Sequence, residues 1–157
     1  MINALILILD EDDLPGGKIP QGTAQQKRYN SRTGRYFDSD NIARARNFFM
    51  AHFKKMRFLN EIDEPFKGPT ELRVTFVYKA RTKKAMYSPK LTRPDLDNSV
   101  KLIADCIVNS GILFDDNQIF RESLLKMYGP KERIVIEIVM QDDEKELIDE
   151  LRKTIGE

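Results

Sequence analysis

Hydrophobic positions along the chain change period several times, and each change marks an element. Asn3 to Leu9 is nearly continuous Ile and Leu, the pattern of a buried strand. Polar residues then run from Asp10 to Ser39, punctuated by Pro15, Gly16, Gly17, Pro20, Gly22 and Gly34, which predicts a long loop. A helix is expected next, starting at Ser39 or Asp40, either of which can cap it, and running to Phe58. Ile42, Ala45, Phe49, His52, Phe53 and Met56 recur there at the three-to-four spacing of a core stripe. After Pro65, Gly68 and Pro69 the period drops to two. Leu72, Val74, Phe76 and Tyr78 alternate with Arg73, Thr75, Val77 and Lys79, a half-buried strand.

A second helix is expected from Asp97 to Asn109, with Val100, Ile103, Ala104, Ile107 and Val108 apolar and Gly111 just past its end. Gln118 to Tyr128 and Arg133 to Met140 read as strands separated by a Gly129-Pro130 turn, which predicts an antiparallel hairpin. Asp142 to Ile155 predicts a final acidic helix. The order β-α-β-α-β-β-α, without repeats or a second core, describes one α/β (α+β) domain. Residues 1–140 form its body, with basic loops at 10–39 and 79–93, and 141–157 add the C-terminal acidic helix.

Composition narrows the class. With 157 residues, 41% of them hydrophobic, the chain suffices for one core. No run reaches the roughly 18 apolar residues of a membrane span. The stretch Ala4–Leu9 has no basic residue before it and is followed at once by Asp10, Glu11, Asp12 and Asp13, which argues against a secretory signal. Cys106 is the only cysteine, so an internal disulfide and a cysteine zinc site are both excluded; it reads as a small packed hydrophobe, and a reducing, cytoplasmic setting is expected. His52, the one histidine, reads as the edge of an aromatic core rather than a metal ligand.

The net charge of +1 hides an uneven distribution. Residues 1–16 hold four acids and no base, and 141–157 hold seven acids and three bases, whereas 17–93 carry eighteen Lys and Arg against six Asp and Glu. A basic block of this size suits a polyanion, though an unevenly charged solvated surface gives the same count. In the first basic loop Lys18, Lys27, Arg28, Arg32 and Arg35 interleave with Tyr29, Tyr36 and Phe37, a combination suited to phosphate contact plus base stacking.

Two acidic groups carry candidate chemistry: Asp95 and Asp97 in Arg93-Pro-Asp-Leu-Asp-Asn98, and Asp115 and Asp116 in Leu113-Phe-Asp-Asp-Asn-Gln118. Pro94 disfavours helix at Arg93, so Asp95 lies in the approach to the second helix and Asp97 at its start. Asp97, Lys101 and Asp105 then follow at four-residue steps. Converging carboxylates repel unless a cation compensates, and oxygen ligands without Cys or His favour Mg²⁺ or Mn²⁺. A carboxylate-held Mg²⁺ suits phosphodiester hydrolysis, with Lys101 placed to stabilise charge on the phosphorane or leaving oxygen. The competing readings are plain: Asp97-Asn98 as a helix cap, Asp115-Asp116-Asn117 as turn residues, Asp97 with Lys101 as a helix ion pair. A calcium loop is set aside because Val100 stands where that loop needs glycine.

Taken together, Arg93-Pro-Asp-Leu-Asp-Asn98, Lys101, Asp105, Leu113-Phe-Asp-Asp-Asn-Gln-Ile119 and Lys126 resemble the signature of the RusA-type Holliday junction resolvases. The resemblance covers most of residues 1–140 and is strongest over 93–126. It implies a RusA-like small mixed β-sheet flanked by helices, a homodimer, and paired nicks in opposed strands of a four-way DNA junction with Mg²⁺ or Mn²⁺. It also implies catalytic roles for Asp95, Asp97, Lys101 and Asp116, with Asp95, Asp97 and Asp116 as metal ligands and Asp115 a less certain fourth. Asn98 and Asp105 match recurrent family positions that either support the site or serve the fold. Lys18, Lys27, Arg28, Arg32, Arg35, Lys83, Lys84, Arg93 and Lys126 are the candidate DNA contacts. The segment Leu14–Gln26 follows the family pattern loosely, and the helix after Met140 looks like an addition. Two alternatives stay open: a protein that binds branched or single-stranded nucleic acid without cutting, and a metal nuclease for flaps or RNA.

Overall fold

Ten residues of continuous alternation put Thr70–Lys79 at the centre of the sheet. The computed structural model describes residues 3–20, 27–38 and 40–157, with backbone only at 27, 37 and 38. The strands are β1 (Ala4–Asp10), β2 (Lys27–Asn30), β3 (Arg35–Asp38), β4 (Thr70–Lys79), β5 (Ile119–Gly129) and β6 (Arg133–Met140). The helices are α1 (Asp40–Leu59), α2 (Leu96–Asn109) and α3 (Glu144–Thr154). Ser39, one of the two expected caps of α1, lies outside the described residues.

Four strands form a mixed sheet in the order β1-β6-β4-β5. β4 runs parallel to β5 and antiparallel to β6, and β6 runs antiparallel to β1. Leu72, Val74 and Phe76 stand opposite Ile138, Ile136 and Ile134, all buried. Ile42, Ala45, Phe49, Phe53 and Met56 of α1 and Val100, Leu102, Ile103, Ala104, Cys106 and Ile107 of α2 join the same core. Burial pushes the Cys106 thiol up to about 11, in keeping with an inert packed residue. His52 is half-buried against Phe48, ring centroids 4.7 Å apart, at the edge of this core.

Beyond the core, Arg57 near the end of α1 donates to the carbonyls of Ile62, Asp63 and Ser110, tying it to the turn after α2. On the polar face of the sheet the buried Glu71 meets Arg73 at 2.9 Å and Arg121 at 3.7 Å. Arg121 in turn reaches Glu150 at 2.7 Å, fastening α3 to the sheet.

Three expectations change. β5 and β6 do not form a hairpin with each other: β4 lies between them. The connection 130–132 needs to cross only about 10 Å, two strand spacings, which three residues span easily. A strand apolar on one face and half-covered on the other, as β4 is, gains most from partners on both sides. β1 is an edge strand rather than a fully buried one. Leu5 and Leu9 face the core while Ile6 and Ile8 are about half exposed. Finally, the stretch 10–39 is not loop throughout: β2 and β3 pair antiparallel around Asn30, whose side-chain oxygen accepts from the backbone of Arg32 and Thr33. In this hairpin Tyr29 stands opposite Tyr36, ring centroids 5.2 Å apart.

Candidate active site and nucleic-acid face

Pro94 and the residues before it bring the chain back along β5. Tyr87 N–H donates to the Tyr128 carbonyl, Lys90 N–H to the Lys126 carbonyl, and Tyr128 N–H to the Ser88 carbonyl. The Arg93-Pro94 peptide is cis, and α2 starts two residues later. Lys126 stands opposite Phe76 in the sheet, and its ammonium reaches out to the carbonyls of Thr92 at 2.6 Å and Pro94 at 2.8 Å. Two of its three donors therefore hold the approach to Asp95, a positioning task that differs from the phosphate contact expected of it.

Asp95 is the N-cap of α2, yet its carboxylate makes no capping hydrogen bond; its carbonyl accepts from Ser99 instead. Asp97 sits in the first turn, where the helix dipole favours negative charge. Asp95, Asp97, Lys101 and Asp116 are all exposed, and among the described residues none of the four side chains has a hydrogen bond or ion pair. The reading of Asp97-Asn98 as the helix cap and of Asp97 with Lys101 as an ion pair therefore fails: the cap position is Asp95. Asn98 and Asp105 are half-buried beside them on α2.

Asp115 differs. Its carboxylate accepts from Asn117 N–H at 2.8 Å, while the Gln118 side chain accepts from Asp115 N–H at 2.9 Å, a reciprocal capping box. The Gln118 amide donates to Phe66 and Gly68, pinning this turn below β4. The turn reading thus holds for Asp115, whereas the neighbouring Asp116 is left free.

Among the described residues no three Asp, Glu, His or Cys side chains converge closely enough to hold a metal ion. The single chain does not gather Asp95, Asp97 and Asp116 into a closed cage. Mg²⁺ commonly uses only one or two carboxylates, completing its shell with water and substrate phosphate. The Asp95–Asp97 donor set, all oxygen and unpartnered, fits that looser mode.

The expected basic residues fall in four places. Arg28, Arg32 and Arg35 are exposed on the β2–β3 hairpin; the Lys27 side chain lies outside the described residues. Lys83 and Lys84 are exposed on a short turn after β4, and Arg93 is exposed just ahead of Asp95. Lys18 lines a cleft of about 1080 Å³ at the carboxyl ends of β4 and β5. The sequence reading missed the other lining groups there: Lys79, Arg81, Lys90 and Tyr128. The basic run 79–90 signalled the first three, but nothing in sequence signalled Tyr128. Burial beside Glu132 pushes the Tyr78 phenol up to about 12. A hydrogen bond with Thr92 holds the Tyr128 phenol below its ordinary value, and Lys90 adds to the effect.

No described helix is long and apolar enough to cross a membrane. The family model described as Endodeoxyribonuclease RusA matches residues 19–139. Over 70 residues the chain is 40% identical to the crossover junction endodeoxyribonuclease rusA of Lactococcus phage r1t, a stretch covering 45% of this chain and 53% of that protein. The match thus spans about half the length of that curated relative.

Proposed function

The chain belongs to the RusA endodeoxyribonuclease family, and from that premise we propose that it is a Mg²⁺-dependent, structure-specific endonuclease that nicks opposed strands of four-way DNA junctions in the cytoplasm. The observation that carries this reading is the set Asp95, Asp97, Lys101 and Asp116, exposed and without partners among the described residues. Unpaired carboxylates of this kind are more useful to a ligand than to the fold.

When bound, Mg²⁺, or Mn²⁺ in its place, supplies Lewis-acid polarisation of the phosphodiester. Asp95 and Asp97 would hold it; Asp116, which does not converge with them in the single chain, would join as an oxygen donor once metal and DNA are bound. Asp115 contributes chiefly by shaping the turn that presents Asp116. Lys101, one helical turn beyond Asp97, stabilises charge on the departing oxygen. Lys126 keeps the Asp95 approach in place, and the exposed arginines of the β2–β3 hairpin with Lys83, Lys84 and Arg93 bind backbone phosphates. A homodimer would set one site on each of two strands of a junction with twofold character.

A second reading is favoured by one observation: the missing three-carboxylate cluster among the described residues suits a protein that binds branched DNA without cutting it. A synthetic four-way junction with Mg²⁺ separates the two. Symmetric nicks by the wild type, absent with Asp97→Asn, support the nuclease. Tight binding without product supports the binder. Cleavage of flap, duplex or RNA in preference to the junction would reassign the substrate.

A further inference from the structure

We propose that the cleft at the carboxyl ends of β4 and β5 holds one unpaired DNA strand, with its phosphates on Lys18, Lys79, Arg81 and Lys90. The inference rests on the nucleic-acid reading above and deepens it. At about 1080 Å³ the cleft has the scale of a ligand pocket, not of a broad face that seats a duplex.

Four cations line it against two acids, Glu11 and Glu132. Both acids are occupied with the backbone. The Glu132 carboxylate accepts from Lys79 N–H at 3.1 Å and Ile19 N–H at 3.4 Å, and Glu11 accepts from Glu132 N–H at 3.2 Å. They lace together β4, β6 and the segment after β1. Among the described residues none of the four cations forms an ion pair, and four positive charges against two negative leave the cleft basic.

Lys90 is pre-organised. Its ammonium lies 5.0 Å from the Tyr78 ring centroid and 5.4 Å from that of Tyr128, and it donates to the Thr92 hydroxyl. A cation already fixed by two rings loses little freedom when a phosphate arrives. A narrow basic groove whose Lys90 is backed by two aromatic rings suits the phosphates of one strand without reading sequence. From Lys90 the chain continues through Thr92 and Pro94, both held by Lys126, directly into Asp95. The wall of the cleft at Thr92 is thus three residues from Asp95 along the chain.

The test measures binding with the metal chelated, so that cutting does not enter. Fluorescence anisotropy compares a labelled oligothymidylate of about 12 nucleotides with a hairpin duplex of matching length. The double variant R81A/K90A is expected to bind the single strand about tenfold more weakly, with a salt slope shallower by about 1.4, while duplex affinity changes less than about twofold. R81K/K90R should restore single-strand binding, and an unchanged thermal midpoint shows that the fold is intact. Undiminished single-strand affinity, or equal loss on both ligands, overturns the cleft assignment. Junction cleavage is scored separately. Persistent cutting with unchanged single-strand binding sinks the cleft alone, whereas selective binding loss in a protein that never cuts sinks only the nuclease reading.

Discussion

The Lys126 ammonium on β5 donates to the Pro94 carbonyl at 2.8 Å, bracing the entry to α2 from the sheet beneath it. A second bond, to Thr92, makes the brace two-pointed. Charged hydrogen bonds of this sort are each worth about 1.5–3 kcal/mol, and removing the donor also strands two carbonyls. Lys126→Met should therefore lower stability by about 1–3 kcal/mol in a urea melt. Junction cleavage should fall chiefly in kcat, with KM little changed, because Asp95 loses its support. A rise in KM alone would instead mark Lys126 as a phosphate contact.

The two neighbouring aspartates should part company on substitution. Asp115→Ala removes the capping-box acceptor and should lower stability by about 0.5–2 kcal/mol with cleavage partly kept. Asp116→Asn and Asp97→Asn remove charges that pair with no described side chain, so thermal midpoints should shift little, slightly more at Asp97 in the first turn of α2, while cleavage drops by about a hundredfold or more. Parallel thermal melts and nicking assays on the three variants check this. Full activity in Asp116→Asn would remove it from the site.

The half-buried His52 titrates below its ordinary value of 6.5, because burial disfavours the imidazolium more than Asp13 favours it. The unfolded chain then takes up the proton first as pH falls. Its contribution to stability is complete above 6.5 and is lost as pH drops through the lower folded value. Since this is the sole histidine, the slope of stability between pH 7 and 5.5 should flatten in His52→Phe, measured by urea midpoints across that range. An unchanged slope would show that another group titrates there.

Gly111 turns the chain after α2 with φ at +81°, and an added methyl group would strike the Arg57 guanidinium. Arg57 cannot retreat without releasing Ser110, Ile62 and Asp63. Gly111→Ala should cost about 1–3 kcal/mol in a denaturant melt, with the metal-site residues untouched. A neutral outcome would mean that Arg57 is not the tie between α1 and α2.

Much of this was legible beforehand, for local reasons. The alternation from Leu72 to Tyr78 and the stripe from Ile42 to Met56 set β4 and α1, because one periodic face must find the core. Arg93-Pro94 and the aspartates around it pointed to the candidate site, since carboxylates at a helix start announce themselves. What escaped was tertiary. Strand partnering is a contest among all strands, so nearness in sequence misled for β5 and β6. The β2–β3 hairpin carries Arg, Tyr and Asn without an apolar alternation, so periodicity could not show it. No property of Lys126 itself says that it reaches carbonyls more than thirty residues upstream.

Placing β4 between the two C-terminal strands has a consequence for the order of assembly. Those strands, although consecutive, have nothing to zip onto until residues 70–79 arrive between them, and β1 can dock only on a finished β6. Even β4 and β5, which follow one another in the chain and pair directly, meet only across the intervening helix α2. Collapse must therefore begin with partners far apart in sequence, which marks the molecule as a comparatively slow folder among proteins of its size.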